Sequence, residues 1–319
     1  MAARPQEHKN PGHGRARPAA AVGGQAVIEG VMMRGKRHWS LAVRRPDGSI
    51  SVHSEPLKPL ADRHGSFRLP VLRGIIGLWE SLSLGMRALS MSASESLGEE
   101  GEEISGKEMG ISIIIGTILA IALFVVLPLF AVRSIRGWLP DSSLFVLVEG
   151  ILRIFILVAY IWGVSRVKQL RRVFEYHGAE HETIHALEAG LELTPENVRR
   201  FPPLHPRCGT SFLLIVMVLA IVVFSFVGVP GLIWLIISRL LGIPLVIGLS
   251  YEVIRYAGRH KGSKIMHAVT YPGLLLQKLT TRAPDNSQIE VAIAALEAVA
   301  AVEPIEMDHD GKADVEVMA

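Results

Sequence analysis

The chain is poor in cysteine: Cys208 stands alone among 319 residues, which excludes an intrachain disulfide framework. Charge is also scarce. Asp, Glu, Lys and Arg make up 20% of the residues and leave an excess of only +3. Despite a pI near 9.1, that balance argues against a nucleic-acid binder driven by bulk charge. No Gly-x-Ser-x-Gly elbow occurs, so a serine hydrolase has no support. The glycine-rich GGQAVIEGVMMRG at 23–35 lacks the Gly-Lys-Ser/Thr ending of a phosphate loop, and its glycines read as backbone turns. Residues 1–22 hold no apolar stretch and are expected to form a disordered Pro/Gly/Arg/Ala tail. No internal repeat is evident.

What is abundant is apolar: 50% of residues are hydrophobic and the mean hydropathy is +0.36. Four segments approach the roughly 20 apolar residues that a bilayer crossing needs. They are Met109–Val132, Ser143–Ser165, Thr210–Val229 and a stretch from Gly231 to about Tyr251, the last interrupted by Arg239 and Pro244. Glu149 and Arg153 lie four apart on the second span, share a helix face and can pair. Arg239 reads as a short loop or re-entrant break.

Basic residues gather in 166–209 (Arg166, Lys168, Arg171, Arg172, Arg199, Arg200, Arg207) and after the fourth span (Arg255, Arg259, Lys261, Lys264). By the positive-inside rule both termini and these loops face the cytoplasm, in the inner (plasma) membrane. The expected fold is a mainly α integral membrane protein with about four transmembrane helices and a small cytoplasmic β-containing N-terminal unit.

The soluble parts divide by composition. Residues 23–97 combine a β unit, with Arg-Pro-Asp-Gly at 45–48 suited to a tight turn, and an amphipathic helix over 69–93. Arg73, Glu80 and Arg87 recur on that helix at intervals of seven. Residues 98–108 form an acidic linker, 166–209 a polar loop, and 255–303 a basic segment with a capped helix over Asp285–Val302. Residues 304–319 read as a second tail.

Ligand-type residues cluster in the polar loop. In Glu175-Tyr176-His177-Gly178-Ala179-Glu180-His181, the two histidines are four apart, so a helix projects both from one face. Glu180 lies about 60° from His177 on the same surface. H-x-x-E-H is an inverted zinc-protease signature, in which histidines hold the ion and the carboxylate accepts a proton. His205-Pro206-Arg207-Cys208 adds a knuckle-like spacing at the entrance to the third span, so His177, His181, His205 and Cys208 make a candidate set of three imidazoles and one thiolate. His185 continues the stripe but lies about 12 Å along the helix from His177, too far to share one ion with both. Four protein ligands close a structural site, whereas three leave a position for water. The rival use of Cys208 is as a nucleophile, with His205 or His181 as base and Arg207 lowering its pKa. Glu252 is a further candidate ligand, with Arg255 as its local ion-pair partner.

The motifs GGQAVIEGVMMRG, EYHGAEH, HPRCGTSF and PGLLLQKLTTRAPDNSQIEVAIAAL together resemble the YqhQ-like family of bacterial membrane proteins over roughly residues 23–302. The resemblance implies a metal-dependent enzyme, and His177, Glu180, His181, His205 and Cys208 match the family's polar motifs, as do Glu29 and Arg34. Glu182 stands where that family commonly has lysine, and Ala283 where it commonly has an acidic residue.

The expected function is a divalent-metal-dependent enzyme, a hydrolase at the cytoplasmic membrane face, with zinc as cofactor held by His177 and His181, His205 or Cys208 completing the site, and Glu180 as catalytic base. The alternatives are a membrane scaffold or regulator with a closed structural metal site, and a transporter using Glu149, Arg153 and Arg239. Expected partners are the lipid bilayer and a membrane protein or second copy of the chain; no nucleic acid is expected.

Overall fold

A computed structural model describes residues 19–97, 106–139, 141–227, 231–260, 263–305 and 307–308. Strand β1 (Ala19–Ala20) pairs with β6 (Met307–Asp308), and β2 (Gly23–Val27), β3 (Gly30–Arg34), β4 (His38–Arg44) and β5 (Ile50–Pro56) form an antiparallel meander. The helices are α1 (Leu72–Leu97), α2 (Gly106–Ile121), α3 (Leu127–Ser134), α4 (Ser142–Val164), α5 (Arg171–Glu188), the short α6 (Pro195–Val198), α7 (Gly209–Val227), α8 (Leu232–Arg259), α9 (Lys264–Thr280) and α10 (Asn286–Ala300).

The meander is covered on both faces, which is why its strands carry few exposed polar residues. Alternation sends Val31, Met33 and Ala42 against α5 and α10, where they meet Tyr176, Ala179, Ile289, Ala292 and Leu296. The other parity, Val27, Met32, Trp39, Leu41 and Val43, packs on Leu84 and Ala88 of α1. Ser40, on the α10 side, donates to the carbonyl of Ala295 at 2.6 Å. Helix α10 begins with a reciprocal capping box between Asp285 and Gln288. One compact unit is therefore assembled from three chain segments that the spans separate.

Four helical stretches are long and apolar enough to cross a membrane: Gly110–Ser134, Ser143–Val164, Gly209–Val227 and Ile236–Ala257. The molecule is a mainly helical membrane protein with a small N-terminal sheet. The first span joins α2 to α3 through a π-helical turn, Ala122–Val126. Pro128 explains it: proline has no N–H for the carbonyl of Phe124, four residues back. Arg153 of α4 supplies the missing donor, its Nε–H reaching Phe124 O at 2.8 Å.

Several sequence expectations need correction. The fourth span is not broken: α8 runs unbroken through Arg239 and Pro244, because Arg239 is neutralised inside the bundle by Glu149 at 3.0 Å. Glu149 also pairs with Arg153 as expected. Residues 19–22 are not a tail, since Ala21 and Val22 are buried and 19–20 pair with 307–308. Residues 1–18, 98–105 and 309–319 of the expected tails and linker lie outside the described residues, while 106–108 open α2. AVIEGVMM is a hairpin with Ile28–Glu29 as its turn. Gly24 and Gly30 sit in strands rather than turns. Gly48 does occupy the left-handed region, at φ +85°, in the Arg-Pro-Asp-Gly turn.

Candidate metal centre

Helix α5 carries the H-x-x-E-H motif across the seam between the β-containing unit and the spans. Gly178 lets the chain entering α10 approach closely, because any Cβ there would strike the carbonyl of Arg282. The Arg282 N–H in turn donates to Phe174 O at 2.9 Å. Opposite α5, the turn before α7 presents His205 and Cys208. Buried Gln277 of α9 clamps that turn, accepting from His205 N at 2.9 Å and donating to His205 O at 2.8 Å and to Ser211 Oγ at 2.9 Å.

These elements enclose a cavity of about 350 Å³ whose wall includes His177, Glu180, His181, His205 and Cys208. Candidate ligand atoms of His177, His181 and Cys208 all lie within 4.8 Å of one another. His177 Nδ1–H donates to Thr280 O at 2.9 Å, and His181 Nδ1–H donates to Pro203 O at 2.7 Å. Each of these bonds fixes the tautomer and leaves Nε2 as the free lone pair, the second-sphere arrangement typical of metal-binding histidines. His177 Nε2 lies 3.2 Å from Cys208 Sγ, and Thr210 Oγ1 lies 3.3 Å from the same sulfur. Burial, with His177 nearby, holds the His181 pKa below its usual value, which keeps the imidazole neutral. The donor set therefore fits a borderline divalent ion.

Glu180 stands beside this triangle, its Oε2 3.4 Å from His181 Nε2. Gly24 of β2 makes room for it: a Cβ there would lie 2.5 Å from Glu180 Cγ. Burial pushes the Glu180 carboxyl up to about 7, against the opposing pull of His177 and Arg207. Neighbouring Glu182 is also pushed up to about 7 by burial, opposed by Arg199.

His205 does not join the triangle. It groups instead with His185 and Glu188, one and two turns further along the α5 stripe. Its Nε2 is buried without a hydrogen-bond partner, 3.8 Å from Glu188 Oε2. Glu188 pairs with Arg207 at 2.5 Å, so that guanidinium faces Glu188 while Cys208 faces His177. The expected set of four ligands is thus split by the geometry into His177, His181 and Cys208 on one side and His205 on the other. The His185–Glu188 spacing on one helix face was the available signal for the second group.

The remaining sequence candidates lie elsewhere. Glu29, at φ +51° in the hairpin turn, accepts from Arg172 Nε and Nη2 at 2.5 Å each and from the Tyr176 hydroxyl at 3.3 Å. It pins the sheet to α5. Arg34 is buried and donates to Ser81 at 2.9 Å and Glu80 at 3.1 Å. Glu252 is no ligand of the centre: it pairs with Arg73 and accepts from Val71 N at 3.3 Å, both near the start of α1. Arg255 lines a separate cavity.

A family model described as "Protein of unknown function (DUF1385)" matches residues 69–302. The chain is 34% identical over 299 residues to the Bacillus subtilis (strain 168) "Uncharacterized protein YqhQ", covering 89% of this chain and 94% of that relative. No solved structure matches.

Proposed function

This chain belongs to the DUF1385 family, and from that premise we propose that it is a divalent-metal-dependent hydrolase working at the cytoplasmic face of the cell membrane. One observation carries the reading: two imidazoles whose Nδ1 atoms are tied to backbone carbonyls turn their Nε2 atoms toward one cysteine, inside a cavity that also holds a buried carboxylate. His177, His181 and Cys208 would hold the ion, and a donor set of two imidazole nitrogens and one thiolate sulfur favours zinc. When bound, such an ion supplies Lewis acidity and lowers the pKa of coordinated water.

The protein's own residues do the rest. Glu180, buried against Gly24, is the group that accepts a proton from water in the cavity and later returns it to a leaving group. Three protein donors leave a coordination position open, as turnover requires and as a closed structural site does not. The Thr280 and Pro203 carbonyls orient the imidazoles, so the cradle stands without help from the ion. The cytoplasmic placement is supported by the basic 166–209 and 255–264 segments, set against Arg133 and Arg136 alone near the connection between the first two spans.

Elemental analysis of the purified full chain tests this reading. The wild type is expected to carry about one transition-metal ion per chain, Glu180→Gln to keep it, and His177→Ala/His181→Ala to lose it. A metal-free wild type, or a double variant that still binds, would sink the assignment. A chelator should remove the ion with little effect on thermal melting; cooperative unfolding on chelation would favour the scaffold with a structural metal.

A further inference from the structure

The sheet leaves one edge open beside the metal candidate. In the order β2-β3-β4-β5 the outer strands are β2 and β5. Two bonds at the ends of the β3–β4 ladder, Arg44 N to Glu29 O and Gly35 N to His38 O at 2.8 Å each, assign the odd-numbered residues of β3 to β4. Even-numbered Gly30, Met32 and Arg34 therefore bond Val27, Gln25 and Gly23 of β2. Gly24 and Ala26 are left with N–H and C=O directed away from the sheet. Among the described residues no hydrogen bond is made to these groups. Both residues line the 350 Å³ cavity that also holds His177, Glu180, His181 and Cys208.

Strand edges are ordinarily blunted by charge, proline or a bulge, because a bare edge pairs with any extended chain. β5 follows that rule with His53, Glu55 and Pro56. β2 does not: Gly23-Gly24-Gln25-Ala26-Val27 carries no charge and no proline, and its pairing with β3 runs without a bulge. The bland account is an edge that water solvates. It leaves unexplained why the bare edge, and not the guarded one, faces the histidines and the cysteine. Gly24 also lies against Glu180, so a chain paired with this edge passes the carboxylate. Among the described residues, Arg207 is the only Lys or Arg in the wall, and Glu188 matches it, which disfavours a phosphate ester. Val173, Phe174 and Leu213 add apolar surface that suits apolar side chains.

We propose that the substrate is a peptide in extended conformation that adds to the β2 edge, its backbone exchanging hydrogen bonds with Gly24 and Ala26. A peptide backbone offers alternating N–H and C=O groups at the strand repeat, which matches the spacing of about 7 Å between residues two apart. The inference deepens the hydrolase reading and rests on it for cleavage alone. Cleavage consumes one water. Its oxygen bonds to the peptide carbonyl carbon, Glu180 carries one of its protons to the nitrogen, and the C–N bond breaks to give a carboxylic acid and an amine.

The probes are the peptides of a casein digest, offered to the purified full chain in detergent as Glu180→Gln, which is expected to keep its metal without turnover. Retained peptides are identified by mass spectrometry, and one is resynthesised with a single N-methyl group at each position in turn. Binding measured by fluorescence polarisation should fall about 10-fold or more at two positions separated by one insensitive residue, because only every second peptide N–H faces the edge. Ala26→Pro removes an outward N–H that no ladder bond uses, a change that an edge strand accommodates. It should weaken the same probe about 10-fold while metal content and melting temperature stay near those of the wild type. No retained peptide on metal-loaded protein, N-methyl sensitivity without that alternation, or full probe affinity in Ala26→Pro would overturn the peptide assignment and leave the metal centre standing. Alternating sensitivity in a chain that elemental analysis finds free of metal would uphold the docking and remove the hydrolase.

Discussion

At Glu149 one carboxylate compensates two guanidinium groups inside the helix bundle. It is 1% exposed, pairs with Arg153 on its own helix and lies 3.0 Å from Arg239 of α8. Arg239 also stacks on the Phe224 ring at 3.8 Å, a cation–π contact strengthened where water is excluded. Arg153 in turn is fixed by the carbonyl that Pro128 leaves without a donor. This close pairing speaks for a role in assembling the spans and against a polar transport path. Glu149→Gln keeps the side-chain volume but leaves buried Arg239 and half-buried Arg153 without a counter-charge. It should cost about 3–5 kcal/mol of stability, visible as a large fall in the melting temperature of the detergent-solubilised protein. An unchanged melting temperature would show that the triad contributes nothing to cohesion.

Among the elements, α10 illustrates how local chemistry sets a boundary. Asp285 accepts from Gln288 N at 3.0 Å and from the Ser287 hydroxyl at 2.6 Å. Burial alone would raise the Asp285 carboxyl, but these donors outweigh it and hold the pKa below its usual value. A depressed carboxyl stabilises the fold above its unfolded pKa and loses that contribution as pH falls through the folded value. Asp285→Ala should therefore cost about 1 kcal/mol near neutral pH. Tryptophan-fluorescence melts of wild type and variant should converge as the pH falls below about 4; a difference independent of pH would mean that the carboxylate charge is not what caps the helix. This cap was legible in the sequence because all its parts lie within four residues, as was the Arg-Pro-Asp-Gly turn. The Ile28–Glu29 turn was not legible, because Glu29 is held at φ +51° by Arg172, 143 residues away. Arg239 looked like a break for the same reason: its partner is 90 residues distant. At the metal candidate, the spacing of His177 and His181 revealed one shared helix face. It could not reveal that Gln277 fixes the preceding turn so that His205 meets Glu188 while Cys208 meets His177.

For the molecule as a whole, packing constrains topology. The sheet, α5 and α10 share one core, yet two spans lie between the sheet and α5 and two more between α5 and α10. Only an even number of crossings in each interval lets the three segments meet on one side of a bilayer, and both intervals satisfy that. The basic segments 166–209 and 255–264 follow the second and fourth spans on this same side, which the proposed function puts in the cytoplasm. The opposite side is left with two short connections, the one around Gly137 and the one between α7 and α8. Gly137 and Gly65 are both exposed, and neither has a neighbour within 4 Å of an added Cβ, so cysteine can replace either without a clash. In intact cells a membrane-impermeant maleimide should label Gly137→Cys at once and Gly65→Cys only after permeabilisation. The parent chain, whose single Cys208 lies on the Gly65 side, should remain unlabelled until then. Labelling of Gly65→Cys from outside would turn the molecule over, place the His/Glu/Cys cavity in the external medium and remove the cytoplasmic hydrolase reading with it.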